Sequence, residues 1–244
     1  MGGVEYGFGG GKVGVMVGYG QGGLKLGARG EGEVKLMMGG VYGGWNFGGI
    51  EVSGGVSYAS GKQKVTRSIV GSWLPNQRNM RGSEQVREFG MDVGVGYGIN
   101  LGMIKVTPEV GLEMARVYEQ GFEEKGGGAV SLSGEKEKGW EGRGHVSMEV
   151  SAVFQVGLVS FEPYVKGGYE RVLVGKGYQD RDVSFQQPGT AFNVRSTDGS
   201  KNIYTGGGGL NVGFGPVTVG VGYQQSIGGK RDERTFQGSL GIRW

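Results

Sequence analysis

The chain has 244 residues, 58 of them glycine, 5 proline and none cysteine, with 36% hydrophobic and 10% aromatic residues. Glycine so far above its usual share of about 7% suggests collagen, but the three-residue period is missing, and the regularly spaced apolar residues argue against disorder. Without Cys there is no disulfide framework or thiolate site, a single His145 leaves no histidine pair, and a net charge of +3 is too balanced to point to nucleic acid.

No stretch approaches the roughly 18 consecutive apolar residues of a spanning helix. The first residues, Met1 to Tyr6, lack the basic and apolar regions of a signal peptide. Period two dominates instead, and it predicts eleven strands at about 3–8, 12–20, 33–46, 50–60, 87–98, 103–118, 144–156, 160–174, 203–214, 217–226 and 235–244. In the second, Val13, Val15, Val17 and Tyr19 alternate with Gly14, Met16 and Gly18. In the fifth, Phe89, Met91, Val93, Val95 and Tyr97 alternate with Gly90, Asp92, Gly94 and Gly96. The sixth sets Ile104, Val106, Pro108, Val110 and Leu112 against Lys105, Thr107, Glu109, Gly111 and Glu113. Val146, Met148 and Val150 oppose His145, Ser147 and Glu149, and the last strand carries Phe236, Leu240, Ile242 and Trp244 on one face. Leu24-Lys25-Leu26 is expected to extend the second strand beyond a bulge at Gly22-Gly23.

Connections alternate in length. Gly9-Gly10-Gly11, Phe47-Gly48-Gly49, Ile99 to Gly102, Gly157-Leu158 and Gly215-Pro216 are tight. Segments 21–32, 61–86, 119–143, 175–202 and 227–234 are longer and charged. Short turns on one rim and long polar loops on the other are the pattern of outer-membrane barrels, and strands of about 9–11 residues cross a bilayer when tilted.

A soluble barrel or sandwich also alternates, with its apolar face as the core. Three features favour the membrane. Tyr19, Tyr42, Trp45, Tyr58, Tyr97, Tyr118, Tyr223 and Trp244 sit near strand ends, where interfacial girdles lie. The second face interleaves glycine with Glu109, Glu113, Glu162, Lys166, Glu170 and Arg243, which suits a wet lumen, and Glu149 and His145 share it. The apolar faces run evenly through almost every strand. The expected fold is therefore all-β: one antiparallel transmembrane barrel over 1–244, about twelve strands when complete.

Gly39-Gly40-Val41-Tyr42-Gly43-Gly44-Trp45 followed by Phe47-Gly48-Gly49 resembles the glycine-tyrosine strand and tight turn of autotransporter translocator barrels, the C-terminal domains of type V secretion proteins. Val106-Thr107-Pro108-Glu109-Val110-Gly111 is similar to that family's Thr-Pro strand, with Glu109 where an aromatic is usual. Gly121-Phe122-Glu123-Glu124-Lys125-Gly126 resembles the loop that follows, and Phe161-Glu162-Pro163-Tyr164 a later strand. Leu240, Ile242 and the terminal Trp244 resemble the family's signal for the barrel-assembly machinery, although Ser239 stands where glycine is common.

The resemblance implies a barrel that anchors a passenger and carries it to the cell surface of a Gram-negative bacterium. Its expected partners are outer-membrane lipid, the assembly machinery and a covalently linked passenger, with no nucleic acid, no cofactor, no metal and no catalytic residue, in a monomeric barrel. A single-chain barrel has an even number of strands. Eleven imply a missing outward strand, and with the resemblance they imply a longer protein holding that strand and the passenger. A stand-alone pore, or an adhesin using 61–86 and 175–202 with Trp73, Phe185 and Phe192, is the other reading left open.

Three features are set aside. Gly9-Gly10-Gly11-Lys12-Val13-Gly14 matches Gly-X-Gly-X-X-Gly, but that fingerprint needs a following helix and here a strand follows. Carboxylate pairs such as Glu109/Glu113 or Glu149/Glu162 read as solvated lumen charges, and Glu135-Lys136-Glu137-Lys138 as loop surface. If the C-terminal residues direct insertion, Trp244→Ser lowers the amount of barrel in the outer membrane; unchanged levels would contradict that role.

Overall fold

The structure, a computed structural model, describes residues 2–25, 30–69, 78–175, 180–187, 189, 191–195, 201–229 and 231–242. Its main sheet opens with β1 (Gly2–Phe8), β2 (Gly11–Lys25), β3 (Gly30–Phe47), β4 (Ile50–Ile69) and β5 (Arg78–Tyr97). The short β6 (Ile99–Leu101) continues β5 onto the neighbouring β7 (Ile104–Glu119). Two short strands of the next connection follow, β8 (Phe122–Glu123) and β9 (Leu132–Gly134), before β10 (Glu137–Ala152) returns to the sheet. After it β11 (Phe154–Val156) lengthens the ladder onto β12 (Val159–Val174). A second connection holds β13 (Asp180–Phe185) and β14 (Ala191–Arg195), and the sheet ends with β15 (Asn202–Phe214), β16 (Val217–Gly228) and β17 (Arg231–Ile242).

The sheet runs β1-β2-β3-β4-β5-β7-β10-β12-β15-β16-β17, every neighbour antiparallel, so each strand pairs with the next along the sheet. This meander is what tight hairpins enforce. Gly9-Gly10 and Gly48-Gly49 hold positive φ at both turn positions, as a type I′ turn requires, which no β-branched residue would accept. Gly102-Met103, Gly157-Leu158 and Gly215-Pro216 carry positive φ on the glycine alone, the glycine-first pattern of type II′.

The eleven predicted strands are the eleven of this path, but they reach further than expected on the long-loop rim. β4 and β5 each run 20 residues, against about 9–11 needed to span a bilayer, so their hairpin stands well clear of any membrane. Two expectations are corrected here. The second strand does continue to Lys25, yet Gly22 and Gly23 pair in unbroken register with Val34 and Glu33, so there is no bulge. The charged run 135–138 is not all loop, because Glu137 and Lys138 open β10 against Glu119 and Tyr118. Leu26, Trp73, Arg243 and Trp244 lie outside the described residues.

The two faces differ in kind. Val15, Val17, Val56, Val93, Val110, Leu112, Val146, Val165, Val221 and Leu240 share one face and are exposed there. Among the described residues the only buried hydrophobic ones are Met80, Val172, Val183 and Ile203. A soluble sandwich of this size would bury most of its alternating apolar face, so this sheet needs an apolar medium rather than a core. At the margins of that face stand Tyr19, Trp45, Tyr58, Tyr97, Tyr118 and Tyr223, as expected for a girdle. Tyr42 belongs to the other face, contrary to expectation. One residue past Val41, its ring lies so close to Gly14 that a Cβ there would collide with it.

The face assignment makes a quantitative prediction for neighbouring residues of β4. Val56→Arg, on the apolar face, is expected to cost about 2–4 kcal/mol of unfolding free energy in lipid vesicles, while Ser57→Arg stays within about 1 kcal/mol. Equal costs, read from denaturant titration in bilayers, would refute the assignment.

Candidate functional site: the polar face and the long-hairpin rim

On the polar face, alternating strands bring opposite charges into register. Glu5 meets Lys12 at 3.4 Å across the first hairpin, and Glu51 meets Lys105 at 2.7 Å. At the centre Glu109 accepts from His145 Nε2 at 3.1 Å and lies 3.8 Å from Lys166 Nζ, so three sequence-expected lumen residues on β7, β10 and β12 form one group. Glu113, four residues along β7, stands in register with Asp92 on β5 and Arg143 on β10. Arg143 in turn pairs with Glu170 at 2.9 Å and with Glu141. Glu149 lies opposite Lys166, and with Glu162, His145 and Tyr164 it borders a cavity of about 520 Å³ that extends to Asn211, Gln224 and Gln237. Of the remaining expected residues, Leu240 is exposed on the apolar face beside Val219, and Ile242 pairs with Val217 at the end of the ladder.

Glycine gives this wall its depth. Tyr164 reaches across β15 to β16, and its hydroxyl would lie 2.7 Å from a Cβ placed on either Gly209 or Gly222. His145 likewise fills the space over Gly111. Large polar side chains thus lie flat across glycine backbone, leaving a polar surface on which Glu109 is paired with Lys166 and Arg143 with Glu170.

A second site lies on the long-hairpin rim, and its packing was not evident from the sequence. There β14-β13-β9-β8 form a separate four-stranded sheet, so parts of the expected 119–143 and 175–202 loops, at 122–134, 180–185 and 191–195, are folded rather than plain charged loop. Arg67, from the outer end of β4, grips Glu124 with two bonds, 3.2 Å from Nε and 2.7 Å from Nη2. The same guanidinium donates to the Val130 carbonyl at 3.1 Å. Glu124, only 5% exposed, also accepts from the Leu132 amide at 2.9 Å. Arg181 of β13 is the other node: it lies 2.7 Å from Glu84, 3.6 Å from Glu119 and 4.8 Å from the Phe122 ring centre, and donates to the Glu135 carbonyl at 3.1 Å. Arg67, Glu84 and Glu119 all share strand parity with the polar face, so the small sheet is tied to the inner side of the projecting hairpins. Phe185 and Phe192, expected as binding residues, pack against each other with tilted rings, centroids 5.3 Å apart, across β13 and β14.

Arg181 had no local signal, because its partners are dozens of residues away in sequence. Glu124 did have one, as the fourth residue of the glycine-bounded 121–126 motif. On the outward face of the same rim, Glu33 and Lys35 pair at 2.9 Å, and that hydrogen bond draws the Glu33 carboxyl below its usual range.

The family model described as Autotransporter beta-domain matches residues 1–224. The fold is similar to the translocator domain of autotransporter NalP from Neisseria meningitidis, with TM-score 0.75 and 17% identity, covering 99% of this chain and 79% of that one. It is also similar to the β domain of the Bordetella autotransporter BrkA, with TM-score 0.53 and 11% identity over 96% of this chain and 91% of that one. No curated protein matches the sequence significantly.

Breaking one member of a buried ion pair costs about 3–5 kcal/mol. Arg181→Met should therefore open the small sheet locally and speed amide exchange in 120–135 and 180–185 by about a hundredfold or more, leaving exchange in the β2–β4 ladders unchanged. Unaltered exchange on the rim would show that Arg181 does not hold it.

Proposed function

Because the chain belongs to the autotransporter β-domain family and forms an outer-membrane barrel sheet of type V secretion, we propose that it anchors a covalently linked passenger and conducts it to the cell surface. The observation that carries this reading is the pairing of an apolar outer face with a polar wall of glycine and matched charges around a cavity. An extended chain segment crossing such a wall exchanges hydrogen bonds with water and with groups already neutralised by neighbours, so nothing grips it along the way. Glu109, His145 and Lys166 act as this lubricating surface, with Glu113, Glu149, Glu162 and Arg243 in the same role. In this reading the barrel performs no bond-breaking chemistry.

Closure supports a further part of the proposal. β1 and β17 both run toward the tight-turn rim, and among the described residues no ladder joins them. Pairing them directly would be parallel. Each unpaired backbone group in lipid costs several kcal/mol, so we infer one outward-running strand between these edges, giving twelve. Twelve strands fall between the filled eight-stranded barrels and the open sixteen-stranded porins, a width suited to one helix or one extended segment. Leu240, exposed on the apolar face of the last strand, is with Ile242 and Trp244 the set of residues we assign to recognition by the assembly machinery, and the barrel acts as a monomer.

The test is topological. In cells making the protein with a tagged passenger joined ahead of β1 by a closing strand, external protease should remove the tag while the barrel remains folded in the outer membrane. A tag protected in the periplasm beside a correctly inserted barrel would contradict export and favour a stand-alone pore.

A further inference from the structure

The outward face carries cations where the apolar belt ends on the long-hairpin rim. Arg116 of β7 lies in register with Phe89 of β5 and with Trp140 of β10. Tyr118, two residues further out, is flanked in register by Arg87 on one side and Lys138 on the other. The six residues therefore occupy two adjacent rows across three neighbouring strands, and strands stand only about 4.8 Å apart. Arg116 is held with its guanidinium 4.8 Å from the Tyr118 ring centre and 5.0 Å from that of Trp140, half-buried between them. Arg87 and Lys138 are exposed. Among the described residues none of these three cations is paired with a carboxylate, whereas their counterparts on the polar face, Lys105, Arg143 and Lys166, all are. Glu84, Glu88, Glu119 and Glu137 alternate onto that other face, so the outward patch is of one sign.

A cluster of three cations on a rigid sheet, with no internal counter-charge, lies beside Trp and Tyr rings at headgroup depth. The medium against this surface is lipid, so the missing anion must come from the lipid. We propose that Arg87, Arg116 and Lys138, with Tyr118 and Trp140, form a binding site for the phosphate of an outer-leaflet lipid. The aromatic rings fix the Arg116 fork so that it can take two phosphate oxygens, and Arg87 and Lys138 add charge from the row above. The acyl chains of the same molecule would lie along the apolar face below, over Val93, Leu112 and Val146.

The site can be tested by native mass spectrometry of the detergent-solubilised barrel, offered bisphosphorylated lipid A, its dephosphorylated form, or inorganic phosphate. Wild type should retain the phosphorylated lipid preferentially, and Arg87→Gln, Arg116→Gln and Lys138→Gln should each weaken retention by about fivefold. Lys12→Gln on the polar face should leave it unchanged. Arg116→Lys, which keeps the charge and loses the fork, should bind between wild type and Arg116→Gln. Heat-shifted mobility of each variant on gels checks that the barrel is intact, and the exposed Arg87 and Lys138 variants do not depend on tolerance at Arg116. Equal retention by these variants, equal binding of the dephosphorylated lipid, displacement by millimolar inorganic phosphate, or a dimer formed through this face would each overturn the proposal.

Discussion

Everything in this chain follows from the need to pair every backbone amide and carbonyl where water is absent. A sheet in lipid meets that need only by hydrogen bonding strand to strand, and among the described residues the ladders from β1 to β17 do so with one register slip, between Gly142 and Arg143, and two short gaps, at Gly98 opposite the Pro108 region and at Val153 opposite the Pro163 region. The pleat then divides the side chains into two sets by parity alone. One set is solvated by lipid and has no core to join, which explains why the few buried hydrophobic residues are found in the folded rim or on the inner wall near it rather than on the membrane face.

The glycine content is a consequence of the same geometry. A curled sheet crowds side chains on its concave side, and the structure resolves this by letting one large polar residue occupy the space above a glycine on the next strand, as Tyr42 does over Gly14, His145 over Gly111 and Tyr164 over Gly209 and Gly222. Several charges on that side are matched between strands, Glu109 with Lys166 and Arg143 with Glu170 among them, so their desolvation is offset locally. On the rim the same logic is applied more tightly, with Arg67 and Arg181 each held by carboxylates and carbonyls drawn from distant parts of the chain, although the buried Nε of Arg181 finds no partner among the described residues.

The strands were legible because period two is a local property. The stretch from Val13 to Tyr19 declares its faces without reference to any partner, and Gly48-Gly49 declares its turn. At Tyr42 parity overrides aromatic character: Val41 beside it takes the apolar face, so the Tyr42 ring turns to the polar one. The central Glu109, His145 and Lys166 group was legible as three residues of one face, but not as one group, since its contacts depend on the register of three ladders. The rim sheet was not legible at all. Its strands are two to six residues long, too short for periodicity, and its stability comes from Glu84 and Glu119 on strands remote in sequence from Arg181.

Over positions 50 to 58 of β4, the even-numbered residues face lipid and the odd-numbered ones face the polar, hydrated side. Spin labels placed one at a time at positions 50 to 58, in the protein inserted in bilayers, report this directly through their collisions with oxygen and with a water-soluble nickel chelate. A strict two-residue alternation is expected, oxygen dominating at the positions of Ile50, Val52, Val56 and Tyr58 and the chelate at those of Glu51, Ser53 and Ser57. An inverted alternation, or none, would contradict it.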